Sequence, residues 1–319
     1  MLRIGWISFH REGFPALETL LARGVRVEAV ITLAPEQLAK RSGAADYSPL
    51  TRRFGIPLHQ VASINDPEAV KLLTDLALDV AIVLGWSEII RPPALTSCRL
   101  GMIGAHASLL PHNRGSAPVN WALIRGETRG GNTLMWLATG VDTGDIIDQV
   151  SFPIDDHDTC ATVYDKVAES NREMLLRLLP RLLEGERSGR PQPRGDEALL
   201  PRRRPQHGRI DWAQDARTVY NFIRALTRPY PGAFGWLDGR QWLVWQAALS
   251  PGEAGAGAAP GEVLGPVASP VPDACGLAVA CGRGVVHLLE VEDADGRVLR
   301  GRELSAQPWK GKVWVHDHR

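Results

Sequence analysis

The stretch RIGWISFHREGFPALETLLARGVRVEAVIT, residues 3–32, decides the fold. Its apolar start at 3–9 predicts a buried strand, and leucines then recur at the spacing of one helix face. Pro15 suits the first turn of that helix, and Gly24 suits its end. A second apolar strand is predicted at 25–32. A strand, a helix and a strand in this order predict a parallel sheet with helices on both of its faces.

The same patterns continue through the first half of the chain. A helix is predicted to begin at Asp66-Pro67, where the Asp66 carboxylate would accept hydrogen bonds from free backbone N–H groups and Pro67 fits the first turn. The segment DVAIVL is apolar throughout, which is typical of a strand buried on both faces. Further elements are predicted as strands at 79–84, 133–137 and 146–150 and as a long helix from Asp158 to about Glu184.

The composition changes after residue 185. Residues 186–208 are rich in Pro, Gly and Arg and show little periodicity, so they are predicted to be a linker between domains at 1–185 and 209–319. In the second domain, short strands separated by turn signals suggest a small barrel. Its elements are predicted as a helix at 216–226, strands at 233–237, 241–247, 262–267, 276–281 and 284–290, and a flexible loop at 250–261.

The bulk properties limit the kind of partner. A chain of 319 residues suits two domains, and its 36 Lys+Arg balance its 36 Asp+Glu. A zero net charge disfavours nucleic acid as the main partner. Four cysteines without a CxxC pair indicate free thiols, and no metal site is expected. No apolar run is long enough for a membrane span, so a cytoplasmic protein is expected.

Two common nucleotide motifs are missing from the sequence. No G-x-G-x-x-G follows the first strand, and no G-x-x-x-x-G-K-[ST] occurs. The predicted sheet therefore carries neither the dinucleotide fingerprint nor the phosphate-cradling loop. The fold class alone does not indicate a function, which has to be inferred from the residues of a site.

The motif HASLLPHNRGSAPVNWAL (106–123), followed by GVDTGDII (140–147), resembles the 10-formyltetrahydrofolate-dependent formyltransferases, including amino-sugar and methionyl-tRNA formyltransferases. Residues 8–24 are similar to the family's first strand and helix, and residues 202–212 and 224–234 are similar to the start of the C-terminal domain in its longer members. The resemblance implies a Rossmann-like formyltransferase domain, a small OB-like β-barrel domain, and 10-formyltetrahydrofolate as donor with tetrahydrofolate as product.

The family's catalytic residues are Asn, His and Asp. His106 and Asp142 match the last two at the family spacing of 36 residues, while Gly104 stands at the asparagine position. Formyl transfer develops negative charge on the formyl oxygen and positive charge on the attacking amine. The imidazole can donate a hydrogen bond to that oxygen, and the carboxylate can hold the imidazole and help remove the amine proton.

Gly104 leaves three interpretations open, since it lacks the side chain that supplies the family's second oxyanion donor. A water or another side chain could replace the amide, with Asn113 and Ser108 as candidates. The protein could transfer formyl more slowly, or hydrolyse 10-formyltetrahydrofolate. It could also be a binding or catalytically impaired member. Losing one donor of this kind costs about 10²–10³ in rate.

The pterin site is carried over from the family to two loops at the ends of strands, where ligands bind open α/β sheets. A flat ring with amide-like edges suits apolar walls and a few polar groups. Core packing is the alternative for the tryptophan of the first loop. The residues assigned to the pterin are Trp86, Ser87, Glu88, Ile90, Thr139 and Val141.

The acceptor site is predicted before Pro118, which begins a helix, because free N–H groups and an arginine there form an anion site. The residues assigned to the acceptor are Asn113, Arg114, Gly115, Ser116, Ser108 and His10, the last at the end of the first strand. Methionyl-tRNA formyltransferases carry a strongly basic loop after the second strand, whereas the loop here holds only Lys40 and Arg41 as cations. Residues 8–13 and 114–124 also resemble the amino-sugar enzymes more closely, so the resemblance favours a small-molecule amine, most likely a nucleotide-linked amino sugar. Methionyl-tRNA and other amines stay as alternatives, and a homodimer is left open.

Overall fold

The computed structural model describes residues 2–193, 198–250, 257–269, 271 and 274–315. The chain forms two compact units. The first comprises Met1–Pro118, Arg129–Pro153 and Val163–Arg202, and the second comprises Val119–Thr128, Ile154–Thr162 and Arg203–Arg319. The predicted limits of 1–185, 186–208 and 209–319 remain predictions.

A seven-stranded sheet forms the centre of the first unit. Its strands are β1 (Ile4–Ile7), β2 (Val27–Leu33), β3 (Leu58–Val61), β4 (Val80–Val83), β5 (Gly101–His106), β6 (Arg129–Trp136) and β7 (Ile146–Pro153). Their order is β3-β2-β1-β4-β5-β6-β7. The pairs among β1 to β5 are parallel, whereas β6 is antiparallel to both β5 and β7.

The prediction of a parallel sheet is therefore wrong for the last two strands, and the sheet is mixed. Only residues 137–145 join β6 to β7. A parallel connection needs a crossover of about a dozen residues or more, so this shorter loop imposes an antiparallel pair.

Most of the helices before residue 184 belong to the first unit. The helices of this stretch are α1 (Phe14–Ala22), α2 (Pro35–Leu38), α3 (Ser48–Phe54), α4 (Pro67–Asp75), α5 (Pro92–Leu95), α6 (Pro118–Ile124) and α7 (Cys160–Leu183), with a 3-10 turn at Arg11–Gly13. The predicted cap of α4 is wrong: the helix starts at Pro67, but the Asp66 side chain makes no capping hydrogen bond. Glu68 in the first turn supplies the negative charge that favours a helix N-terminus.

The core lies on both faces of the sheet because side chains alternate along each strand. In β1, Trp6 belongs to one buried cluster and Ile7 to another. The first cluster includes Leu178 of α7. This packing fixes the strand ends that carry the candidate site.

The second unit contains an antiparallel sheet. Its elements are α8 (Ala216–Leu226), β8 (Ala233–Leu237), β9 (Arg240–Leu249), β10 (Val263–Val267), β11 (Gly276–Ala280), β12 (Val285–Asp293), β13 (Val298–Arg300) and α9 (Gly301–Ser305), with a 3-10 turn at Pro205–Gly208. The strand order is β10-β11-β12-β9-β8, and β13 also pairs with β12. The OB-like barrel stays a prediction, and much of the predicted flexible loop, 251–256, lies outside the described residues.

Candidate active site

His106 and Asp142 meet beside the end of β5, although they come from different segments of the chain. His106 is the last residue of β5 and is 7% exposed, while Asp142 lies in the loop between β6 and β7. The Nδ1 atom of His106 lies 3.4 Å from Oδ2 of Asp142. A carboxylate at this distance can pair with a protonated imidazole and orient the ring.

The other ring nitrogen of His106 faces the backbone of the following loop. Its Nε2 atom lies 2.8 Å from the carbonyl oxygen of Asn113. A carbonyl oxygen only accepts hydrogen bonds, so Nε2 is the nitrogen that carries a proton here. The Asn113 carbonyl thus marks a position from which an oxygen atom accepts the imidazole N–H.

A second contact joins the two loops that flank the imidazole. The backbone N–H of Gly115 donates to Oδ2 of Asp142 over 2.9 Å. Asp142 has a φ of 52°, in the left-handed region, and Gly115 has a φ of 112°. A Cβ on Gly115 would lie 2.5 Å from the backbone nitrogen of Leu200, so only glycine lets that chain approach.

The space beside Gly104 is filled by an apolar side chain. Gly104 lies in β5, two residues before His106, so a side chain there would project from the same face of the strand. A Cβ on Gly104 would lie 2.5 Å from Cδ2 of Leu137. One predicted substitute is already engaged, since the Ser108 hydroxyl donates to the His112 carbonyl over 2.7 Å.

The predicted anion site before α6 lacks free donors at two of its residues. The Gly115 N–H binds Asp142, and the Ser116 N–H donates to the Leu200 carbonyl over 3.0 Å. The Arg114 guanidinium donates to Oε1 of Gln192. Helix α6 does begin at Pro118, as the sequence predicts. These bonds organise the loop internally, so an anion would have to displace them.

The residues assigned to the pterin lie in the loop after β4 and the loop before Asp142. The Trp86 indole packs against Phe9 with ring centroids 5.6 Å apart, and its buried Nε1 has no hydrogen-bond partner among the described residues. Glu88 is bound within the protein through Ser63 and Asn65. The remaining four differ in exposure: Ile90 is buried, Val141 is half-buried, and Ser87 and Thr139 are exposed.

His10 lies in a separate cluster, with no contact to His106 among the described side chains. It is buried after β1, with Nδ1 3.2 Å from Oε2 of Glu12 and its ring 5.0 Å from that of Tyr164. The structure therefore brings together His106, Asp142, Asn113 and Gly115 and leaves His10 apart from them. Its predicted contact with the acceptor remains a prediction.

Sequence reasoning missed two residues that organise this site. Thr133 of β6 pairs with His106 across the sheet, and its hydroxyl donates to the Ser108 carbonyl and accepts from the Leu110 N–H. A polar residue inside the predicted strand at 133–137 was a signal for it. Gln192 binds the Asp142 turn, but it lies in a Pro- and Arg-rich segment that gave no signal of a contact.

Two of the four cysteine thiols are poor candidates for catalytic nucleophiles. All four thiols are free and buried, and burial raises the pKa of the Cys98 thiol and raises the pKa of the Cys281 thiol to about 12. Thiols with raised pKa values are poor nucleophiles near neutral pH. Within the described ranges, no group of three His, Cys, Asp or Glu residues could hold a metal ion.

The sequence matches known families over most of its length. Residues 15–179 match the family described as formyl transferase, and residues 203–308 match the formyl transferase C-terminal domain. The chain therefore belongs to the formyl transferase family, a family of enzymes that take the formyl group from 10-formyltetrahydrofolate.

Among curated proteins, similar relatives carry the name methionyl-tRNA formyltransferase. The one from Geotalea uraniireducens (strain Rf4) is 34% identical over 293 residues, which cover 91% of this chain and 90% of the relative. The one from Geobacillus thermodenitrificans (strain NG80-2) is 35% identical over 253 residues, which cover 78% of each. Both the catalytic and the C-terminal parts thus have counterparts in full-length relatives.

Similar solved structures share the fold at low sequence identity. HypX from Aquifex aeolicus in complex with tetrahydrofolic acid has a TM-score of 0.66 at 20% identity, over 99% of this chain and 51% of that one. The N-formyltransferase from Helicobacter canadensis, in complex with folinic acid and dTDP-3-aminofucose, has a TM-score of 0.65 at 16% identity, over 90% of this chain and 99% of that one.

Among the described helices, none combines the length and apolar character of a membrane span.

Proposed function

We propose that this formyltransferase moves the formyl group of 10-formyltetrahydrofolate to the primary amine of a small molecule, with a nucleotide-linked amino sugar as the favoured acceptor. The observation that carries the proposal is the contact between His106 and Asp142, whose Nδ1 and Oδ2 atoms lie 3.4 Å apart. A buried imidazole beside a carboxylate supplies the hydrogen-bond donor and the proton acceptor that formyl transfer requires.

His106 and Asp142 have different proposed roles because they lie at different places in the site. The Nε2–H of His106 already donates to a carbonyl oxygen, that of Asn113, so a formyl oxygen in the same place would receive the same hydrogen bond. Asp142 holds the opposite side of the ring and so orients the imidazole N–H towards that oxygen. Its carboxylate also accepts the amine proton, directly or through water, as the amine nitrogen bonds to the formyl carbon. The bond from the formyl carbon to N10 then breaks, and a proton returned to N10 gives tetrahydrofolate as the leaving product.

The residues present suit the donor's pterin. The loop after β4 lies where the sheet order reverses between β1 and β4, the position at which α/β sheets bind ligands. Trp86 in this loop has a buried indole N–H without a partner among the described residues, and a ligand acceptor would satisfy it. The donor supplies the formyl group, and Trp86, Ser87, Ile90, Thr139 and Val141 would hold its ring.

The charge of the chain supports a small acceptor. The segment after β2 includes the short helix α2, and its cations between residues 34 and 47 are Lys40 and Arg41. The whole chain has a formal net charge of zero. Binding to a polynucleotide draws most of its affinity from Lys and Arg at phosphates, so a neutral chain with this loop favours a small molecule.

Methionyl-tRNA is the second candidate, favoured by the name of the relatives and by one feature of the second unit. The Arg203 guanidinium lies 5.0 Å from the Trp121 ring centroid and 5.4 Å from that of Phe222. Burial lowers the pKa of Arg203. Aromatic rings and guanidinium planes are the groups on which unpaired bases stack.

Tetrahydrofolate release, followed by absorbance with each acceptor, tests the proposal. We expect turnover with a nucleotide amino sugar such as dTDP-3-aminofucose, and a loss of about 10²–10⁴-fold in His106→Ala and Asp142→Ala. Turnover with methionyl-tRNA alone would select the second candidate. Release of tetrahydrofolate without any amine would identify a hydrolase, and binding without turnover would identify a non-catalytic member. Cytoplasmic location and a homodimer remain predictions.

A further inference from the structure

The segment that follows α7 contacts the candidate active site along its path. Arg190 exchanges two backbone hydrogen bonds with Ile146, of 2.8 and 2.9 Å. Further on, the Leu200 N–H donates to the Arg114 carbonyl over 2.7 Å, and the Ser116 N–H donates to the Leu200 carbonyl. We call residues 188–193 and 198–200 the strap. It binds the start of β7 at one end and the loop before α6 at the other.

Gln192 of the strap binds both of these loops with one side chain. Its Nε2 donates to the carbonyl of Asp142 over 2.9 Å and to that of Gly144 over 2.7 Å. Its Oε1 accepts from Nη2 of Arg114 over 2.6 Å and from Nε over 3.2 Å. Both the nitrogen and the oxygen of the Gln192 amide therefore form two hydrogen bonds each with residues of the first unit.

These bonds act at a residue with an uncommon backbone conformation. Asp142 has a φ of 52°, in the left-handed region that few non-glycine residues adopt. Gln192 holds the carbonyl of that residue and the carbonyl two residues later. It also holds the residue next to Gly115, whose N–H donates to the Asp142 carboxylate. Gln192 thus fixes both ends of the contact that orients Asp142.

We propose that Gln192 is a positioning residue for formyl transfer, acting through Asp142; this rests on the proposed role of Asp142. An amide is required because the site needs donors towards two carbonyls and an acceptor towards a guanidinium. A glutamate would keep the acceptor but place negative charge against two carbonyl oxygens. An alanine would remove both functions.

Hydrogen exchange of the free protein tests the geometry without any acceptor. In Gln192→Ala, we expect the amide of Gly115 to exchange about tenfold faster. The matched control is Arg187→Ala, which removes a contact with the Trp136 ring just before the strap and leaves Gln192 intact. It should leave exchange at Gly115 unchanged. Unchanged exchange in Gln192→Ala, or equal acceleration in both variants, would overturn the proposal.

Kinetics with the acceptor that supports turnover separate positioning from folding. We expect kcat to fall about 10–100-fold in Gln192→Ala and Gln192→Glu, with KM for 10-formyltetrahydrofolate within about twofold, because a misplaced catalytic group affects the reaction step. Arg187→Ala should keep the wild-type kcat. A wild-type kcat in Gln192→Ala would overturn the proposal.

A double-mutant cycle shows whether Gln192 works through Asp142. Adding Gln192→Ala to Asp142→Asn should cause no further loss of kcat, because the group that Gln192 positions is already disabled. Losses that multiply would overturn the proposal. A wild-type rate in Asp142→Asn itself would instead refute the catalytic pair of the proposed function, and the hydrogen exchange of Gly115 would still report on the strap.

Discussion

Substituting Gly104 by asparagine, alone and together with Leu137→Ala, tests what the missing side chain means for the reaction. Gly104 and His106 lie on the same face of β5, so an amide at 104 would project beside the imidazole. A Cβ there would lie 2.5 Å from Cδ2 of Leu137, whereas carbons in contact lie about 3.5 Å apart. Leu137 would therefore have to move by about 1 Å.

The single and double variants have different expected results. In Gly104→Asn, the tip of the half-buried Leu137 side chain must move aside, so the free energy of unfolding should fall by about 1 kcal/mol and kcat should stay near the wild-type value. In Gly104→Asn with Leu137→Ala, the space is open and the amide becomes a second donor to the formyl oxygen. One donor of this kind changes the rate about 10²–10³-fold, so kcat should rise by about 10² relative to Leu137→Ala alone.

The assay is tetrahydrofolate release at saturating donor and acceptor, with folinic acid affinity measured by calorimetry for every variant. The Kd for folinic acid should stay within about twofold, because the new hydrogen bond forms only as charge develops on the formyl oxygen. Leu137→Ala alone is the control for the space created. If the double variant has the kcat of Leu137→Ala, the formyl oxygen already has its donors and the reasoning is refuted.

Two further predictions concern stability. Thr133→Val should lower the free energy of unfolding by about 2 kcal/mol, because it leaves the Leu110 N–H without the hydroxyl to which it donates over 3.1 Å. Thr32→Val is the matched control, since its buried hydroxyl has no partner among the described residues, and urea unfolding should show little or no loss; equal losses would contradict the prediction. Asp215 caps α8 by accepting from the Thr218 N–H, which lowers the pKa of this carboxyl. A lowered pKa in the folded state stabilises the protein above the unfolded value of about 3.9, and this contribution is lost as pH falls through the folded pKa. Asp215→Ala should therefore cost about 1 kcal/mol at pH 7 and less at pH 3 in urea unfolding, and an equal cost at both pH values would refute the link to the carboxylate.

Local patterns determined much of the fold. Helix α8 and strand β8 have the predicted limits because an amphipathic run and a short apolar run are each bounded by strong signals. Strand β3 has no such signal, since its four residues LHQV are half-buried or exposed at the edge of the sheet. The residues of β6 and β7 also do not predict the directions of these strands. The length of the loop between them decides that they are antiparallel.

The candidate site was predictable only in part. The resemblance named His106 and Asp142, and the structure places them 3.4 Å apart. It could not show that Leu137 fills the space beside Gly104, because those residues are distant in sequence and meet only through the loop after β6. Gln192 was hidden for a similar reason: a Pro- and Arg-rich composition is typical of linkers, and its hydrogen bonds depend on where the chain runs.

The loops around His106 take their geometry from hydrogen bonds between segments and not from regular secondary structure. Asn113, Ala117 and Asp142 all have positive φ angles, of 58°, 55° and 52°. Such conformations cost about 1 kcal/mol or more for an alanine and less for Asn or Asp. They persist because the Gly115 N–H donates to the Asp142 carboxylate. The strap also binds the backbone on both sides of Gly115, through the Arg114 carbonyl and the Ser116 N–H. In a loop held this way, a formyl oxygen can replace the Asn113 carbonyl as the acceptor of the His106 hydrogen bond. The remaining contacts of the loop then keep the imidazole and the carboxylate in place.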